Sequence, residues 1–229
     1  MPLQNRVDPF GNLLASPARG LFMGNRGGRF HRDDRTLSSR RWVSRQWICC
    51  RLQFGNRHRQ VWKTGYTELF FLDEVTALAA GHRPCFECRR TDARAFAAAF
   101  AQGLHLRTIP RAADMDAVLH AERLAHVPEK GAPVFRKGHA QELDRRAKRT
   151  HRLPIDDLPD GAFMMLPRAP GCAFAIRGAY LLEWTPAGYG ARRQRPRGIR
   201  VDVLTPPAIL AALAAGYRPS WHPSVERAR

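Results

Sequence analysis

The stretch GHRPCFECRR, residues 81–90, sets two cysteines three positions apart, behind an Arg-Pro turn and ahead of two arginines. Two thiolates at this spacing in a turn can both face one metal ion at about 2.3 Å, the arrangement of structural zinc knuckles. A thioredoxin-type redox pair would sit where a strand runs into a helix. Here Cys85 and Cys88 instead follow a helix-like segment, a glycine and Arg-Pro, so metal ligation is the better reading.

Zinc needs two further donors. The chain has five cysteines, and the others are the adjacent pair Cys49 and Cys50 and the distant Cys172. Neighbours on a strand point to opposite faces, so Cys49 and Cys50 can ligate together only at a bulge or strand end. His31, in the loop after GGRF, is the substitute donor, with His58 and His82 behind it. Otherwise Cys50, alternating with Ile48 and Leu52, is a small core residue.

Working outward, DEVTALAAG (73–81) predicts a short helix with Asp73 at its N-cap and Gly81 as its stop. TDARAFAAAFAQG (91–103) predicts a second, capped by Thr91 or Asp92. Upstream, alternation from Ile48 to Phe54, the turn GNRH and the return Gln60 to Trp62 read as a β-hairpin, and Thr67 to Phe71 as a third strand. Residues 1–46 show no sustained period and read as irregular but packed. Downstream, GAFMML, CAFAIRG, AYLLEW and IRVDVLTPP are short apolar runs broken by Gly and Pro, closed by a helix AILAALAAG. Trp184, Tyr189 and Trp221 read as packing residues there. ALAAGHRPCFEC (77–88) and ALAAGYRPSWHPS (212–224) echo one another, which reads as one helix-stop device used twice.

The charge narrows the partners. Among 229 residues, 38 Lys and Arg against 20 Asp and Glu leave +18, nearly all of it on arginine. Such a field suits nucleic acid, and the guanidinium fork suits phosphate and guanine. Arg83, Arg89 and Arg90 flank the cysteine turn, and Arg40, Arg41 and Arg45 are interleaved with Trp42 and Trp47, whose rings could stack on bases. No run is apolar enough to insert in a membrane and the N-terminus has no signal core, so the expected location is the cytoplasm, at the nucleoid if DNA is the partner.

FFLDEVTALAAGHRPCFECRR (70–90) resembles the zinc-binding methyl-phosphotriester repair domain of Ada and its relatives. In them a helix and an Ala-Ala-Gly-aromatic-Arg-Pro-Cys-x-x-Cys turn supply the third and fourth zinc cysteines. The likeness spans about residues 66–92. It implies zinc on Cys85 and Cys88 and DNA as partner. The family's upstream cysteines are three residues apart and one accepts a methyl group; here Cys49 and Cys50 are adjacent, so that acceptor role is not carried over. The wider pattern, from QNRVDPFG through GYTELFFLDE to EWTPAGYG and VLTPP, resembles a widespread bacterial family and implies no activity.

A second candidate site lies in DMDAVLHAERLAH (114–126), where Asp116 and His120 share a helix face with Arg123, and Glu122 falls on another. His120, Glu122 and His151, with Lys148 and Arg149 as phosphate clamps, could serve phosphodiester hydrolysis. The expected architecture is α+β: an Ada-like zinc-stabilised hairpin and helix unit (1–109) with an irregular arm, a basic helical connector (110–154), and a mostly-β, barrel-like part with a final helix (155–229). The expected function is a zinc-containing nucleic-acid-binding protein, on DNA rather than RNA, in DNA binding or damage recognition; a nuclease or repair enzyme and an RNA- or ribosome-associated protein are the alternatives.

Overall fold

The computed structural model describes residues 1–57, 60–125 and 152–228. Six strands build the first sheet: β1 (Gln4–Val7), β2 (Leu13–Ala15), β3 (Phe22–Arg26), β4 (Trp47–Arg51), β5 (Leu69–Phe71) and β6 (Arg83–Pro84), in the order β2-β1-β5-β3-β4-β6. The segment 1–46, expected to be irregular, therefore supplies half of this sheet. Its strands are short, and two of them pair far along the chain: β1 runs parallel to β5, and β3 lies antiparallel to both β4 and β5.

The expected hairpin is replaced by longer-range pairing. Cys49 and Cys50 sit opposite Gly24 and Met23 of β3, and β4 pairs on its other edge with β6, while Gln60 to Trp62 is not a strand. Trp62 is instead buried, its indole donating to the Glu68 carbonyl at 2.9 Å.

The helices follow their sequence signals closely. Helix α1 (Glu74–Ala79) is capped by Asp73, whose carboxylate accepts from Thr76 N at 2.8 Å. Helix α2 (Arg90–Gly103) corrects the expected cap: Arg89, with no side-chain capping bond, takes the place of Thr91 or Asp92, which fall inside the first turn. Helix α3 spans Ala112–Ala125. The second sheet contains β7 (Arg152–Pro154), β8 (Phe163–Met165), β9 (Phe174–Arg177), β10 (Tyr180–Thr185), β11 (Gly188–Gln194) and β12 (Arg200–Val203), ordered β11-β10-β9-β8-β12-β7 and wholly antiparallel. Helix α4 (Pro207–Ala214) follows. The fold is thus α+β, with two sheets and four helices among the described residues.

The sequence segments share cores. Leu78 of α1, Phe96 and Phe100 of α2, Met115 and Leu119 of α3, and Ile209 and Leu213 of α4 form one cluster. Leu72, Val75 and Ala79 pack with Phe163, Leu182 and Tyr189 of the second sheet. Two buried carboxylates at the start of α1 fix this junction. Asp73 accepts from Tyr189 Oη at 2.8 Å and His222 N at 3.1 Å, and Glu74 accepts from Tyr217 Oη at 2.5 Å and Ser220 N at 2.9 Å.

The echoed motifs end their helices identically. Gly81 N donates to Leu78 O and His82 N to Ala77 O; Gly216 N donates to Leu213 O and Tyr217 N to Ala212 O. Both pairs are Schellman closures, and the glycines take φ of +79° and +102°, the left-handed region where a side chain is strained.

Candidate metal centre

Strand alternation decides which cysteine of the adjacent pair meets the turn. Cys50 shares a face of β4 with Ile48 and packs with Met23, Cys85, Cys88, Tyr66 and Phe70. Cys49 faces the other way, among Val7, Leu69, Phe71 and Ala77. The Cys-x-x-Cys turn is docked by Cys85 N, which donates to Cys49 O at 2.9 Å, and is closed onto α2 by Arg89 N donating to Cys85 O at 3.0 Å. The sulfurs of Cys50, Cys85 and Cys88 consequently lie within 4.8 Å of one another, all three side chains buried.

Three buried thiols this close cannot all ionise without a cation. With only protons to share, hydrogen bonds from Cys50 and then Cys88 hold Cys85 well below the ordinary thiol range, and Cys50's own bonds to Cys85 and then Cys88 hold it far above that range. A divalent ion would take the place of those protons. An all-sulfur donor set fits zinc among the common biological cations, because thiolates are soft ligands. Beside the sulfurs is a cleft lined by Arg51, Phe54, Arg57, Tyr66 and Glu87, and the Glu87 carboxylate is engaged by Arg57.

The other expected ligands lie elsewhere. Cys49 is fully buried, its thiol raised by desolvation, and Arg89 Nη1 lies 3.4 Å from its sulfur. The expected four-cysteine set is therefore corrected to three, since alternation sends Cys49 across the sheet. His31 pairs through Nδ1 with Thr67 Oγ1 at 2.9 Å and stacks on Trp62. His82 is wholly buried and accepts from Arg26 Nε at 3.4 Å. His58 lies outside the described residues.

The expected nucleic-acid contacts divide by burial. Arg40, Arg41, Arg45 and Arg90 are exposed. Arg83 and Arg89 are not available to a polyanion: Arg83 forks onto Asp116, and Arg89 donates to Glu74 at 2.7 Å and Asp92 at 2.9 Å. Arg51 and Arg57, not singled out from the sequence, are exposed beside the sulfurs; Arg51 directly follows Cys50 on the strand. Lys148, Arg149 and His151 lie outside the described residues.

His120 and Glu122 do not face one another. Glu122 accepts from Ala208 N, at the start of α4, at 3.0 Å, and burial raises its carboxyl to about 7. His120 is half-buried against the edge of Trp42, their centroids 5.8 Å apart. Asp116 is occupied by Arg83.

No helix among the described residues is long and apolar enough to cross a membrane. Comparison of the chain with protein-family models, curated proteins and solved structures returned no match.

Proposed function

We propose that this chain is a metal-containing nucleic-acid-binding protein in which zinc on Cys50, Cys85 and Cys88 locks the Cys-x-x-Cys turn to the first sheet. The observation that supports it is the convergence of three sulfurs from strand β4 and the turn. Around that point Arg51, Arg57 and Arg90 are exposed, in a chain carrying +18. Zinc supplies rigidity here: it crosslinks two elements far apart in sequence and neutralises thiolates that would otherwise repel. The arginines then meet phosphates from a fixed platform. DNA is favoured over RNA by the Ada-like likeness of residues 66–92. The hydrolytic alternative has less to draw on, because Glu122 and Asp116 are already engaged by a backbone N–H and a guanidinium.

Binding of labelled single- and double-stranded DNA and RNA across a salt series tests this reading. Affinity should fall linearly on logarithmic axes with salt, and replacing Arg51 or Arg57 by Ala should lower the slope by about one unit for each phosphate that is no longer neutralised. Chelation should weaken binding. No retention on any of the four nucleic acids at low salt would remove the proposal, and stronger retention on RNA would turn it toward an RNA partner.

A further inference from the structure

A different part of the molecule holds an electrostatic imbalance. Two buried guanidiniums flank the Trp47 indole: Arg26 lies 4.0 Å and Arg123 4.4 Å from its centroid. His82 lies 5.0 Å from the same ring, and Trp42 lies 6.1 Å from it and packs on His120. Neither arginine has a carboxylate at ion-pair distance among the described residues. Arg26 donates to His82 Nε2 and Gly11 O, and Arg123 to the carbonyls of Leu119, Arg45 and Asp116.

The neighbouring charges do not balance them. Asp8 acts on Arg26, and Asp116 and the half-buried Glu122 act on Arg123, all from beyond ion-pair distance, while Arg41 and Arg83 add to the positive side, Arg83 already holding Asp116. Burial depresses both arginines to about 9, helped by Arg123 acting on Arg26 and by Arg83 acting on Arg123, and burial first, then the two arginines, holds His82 well below its ordinary range. Burying like charges without counter-charge is costly, so such a cluster is ordinarily matched by an anion.

Unpartnered nitrogens occur on the same group of side chains. Among the described residues, five buried side-chain nitrogens have no hydrogen-bond partner, and four of them are Trp47 Nε1, His82 Nδ1, His120 Nδ1 and Arg123 Nη1. His82 Nε2 accepts from Arg26, so its proton sits on Nδ1, where the carbonyls of Ala77 and Ala80 face it. Trp47 and Arg123 can only donate. Buried donors without acceptors are uncommon in folded proteins, and the indole N–H of Trp47 and a guanidinium N–H of Arg123, stacked on one another, ask for a ligand that accepts from both.

We propose that the Trp47 cluster, comprising Arg26, His82, His120 and Arg123, is a binding site for a phosphate-type oxyanion. The burial of the cluster favours a free phosphate or the terminal phosphate of a strand over an internal phosphodiester, whose two chain continuations would have to be buried as well. The exposed Arg41 and Arg45 are near enough to act on Arg26 and His120 respectively, so the site gives the basic segment 40–47 a role distinct from the metal centre. It rests on the nucleic-acid reading only in its strand-end form.

Thermal unfolding of the full chain in phosphate, against chloride at matched ionic strength, reads the site directly. Phosphate should raise the midpoint saturably, by roughly 5–10 °C at a hundredfold excess over Kd. Arg123→Met should abolish that response whatever its own midpoint in chloride, which is set as well by the three carbonyls that lose their donor. Should that variant not fold, phosphate-dependent quenching of tryptophan fluorescence, present in the wild type and lost in Trp47→Phe, reads the same site. Competition by a 5′-phosphorylated but not a 5′-hydroxyl oligonucleotide identifies a strand end as the source; competition by inorganic phosphate alone identifies a free anion. Phosphate binding without nucleic-acid retention would leave this site standing and remove the nucleic-acid reading. A wild type unmoved by phosphate, or an Arg123→Met chain that responds in full, would overturn the proposal.

Discussion

Arg83 and Asp116 form a two-pronged ion pair, Nε to Oδ1 at 2.9 Å and Nη2 to Oδ2 at 2.7 Å, with both side chains almost fully buried. The pair ties the residue two before Cys85 to α3, so the Cys-x-x-Cys turn is held from both sheet and helix. Removing one partner strands a buried charge. Asp116→Ala should therefore cost about 3–5 kcal/mol, read by urea unfolding. A loss below about 1 kcal/mol would mean that water reaches Arg83 and screens it.

Cys49 and Cys50 should behave as unlike residues. Cys50→Ser should lose bound metal, whereas Cys49→Ala should keep it and lose stability through a small void beside Phe71 and Ala77. Metal content after gel filtration, paired with an unfolding curve, separates the two. Equal metal loss in both variants would contradict the alternation on which the three-sulfur site depends.

The buried carboxylate network at α1 offers a stability test independent of metal. Tyr217→Phe removes the hydroxyl that donates to Glu74 and leaves a buried carboxylate with one fewer donor. A loss of about 1–3 kcal/mol is expected in chemical denaturation. Arg89 and Ser220 N continue to hold Glu74, so the variant should fold with metal content unchanged.

Glu122 predicts a pH dependence. Its carboxyl is raised from the ordinary 4.5 to about 7, first by burial, so the folded chain holds a proton that the unfolded chain releases. A raised acid stabilises the fold at low pH and loses that contribution as pH rises from about 4.5 through 7. Glu122→Gln, which can still accept from Ala208 N, should flatten the unfolding midpoint between pH 5 and pH 8. A wild type whose midpoint does not fall across that interval would show that Glu122 titrates normally.

Local signals in the sequence were enough for the helices. Asp73 and Gly81 bound α1, the Ala/Phe spacing of 91–103 marks α2, and the short apolar runs after 160 became β8, β9, β10 and β12. Pairing between distant segments was not legible. Residues 22–26, MGN within them, carry no alternation, yet they become the central partner of both β4 and β5 because Gly24 lets the neighbouring strands close in. The assumed hairpin failed for the same reason: proximity in sequence suggested a return strand at Gln60 to Trp62, while the register of β4 was set by Phe22–Arg26. At the candidate site, alternation already barred Cys49 and Cys50 from ligating side by side, but only the parallel β4–β6 pairing shows which of them meets Cys85. Burial of Arg83 and Arg89 depends on Asp116 and Glu74, partners 33 and 15 residues away that spacing alone does not connect.

X-ray absorption on freshly purified chain, with metal stoichiometry from the same sample, is the sharpest test of a thiolate-bound ion on Cys50, Cys85 and Cys88. About one zinc per chain with three sulfur neighbours at about 2.3 Å is expected, lost in Cys85→Ser. Protein that carries less than about half an equivalent of any metal, and that keeps its fold and nucleic-acid affinity after chelation, would contradict a metal-locked turn.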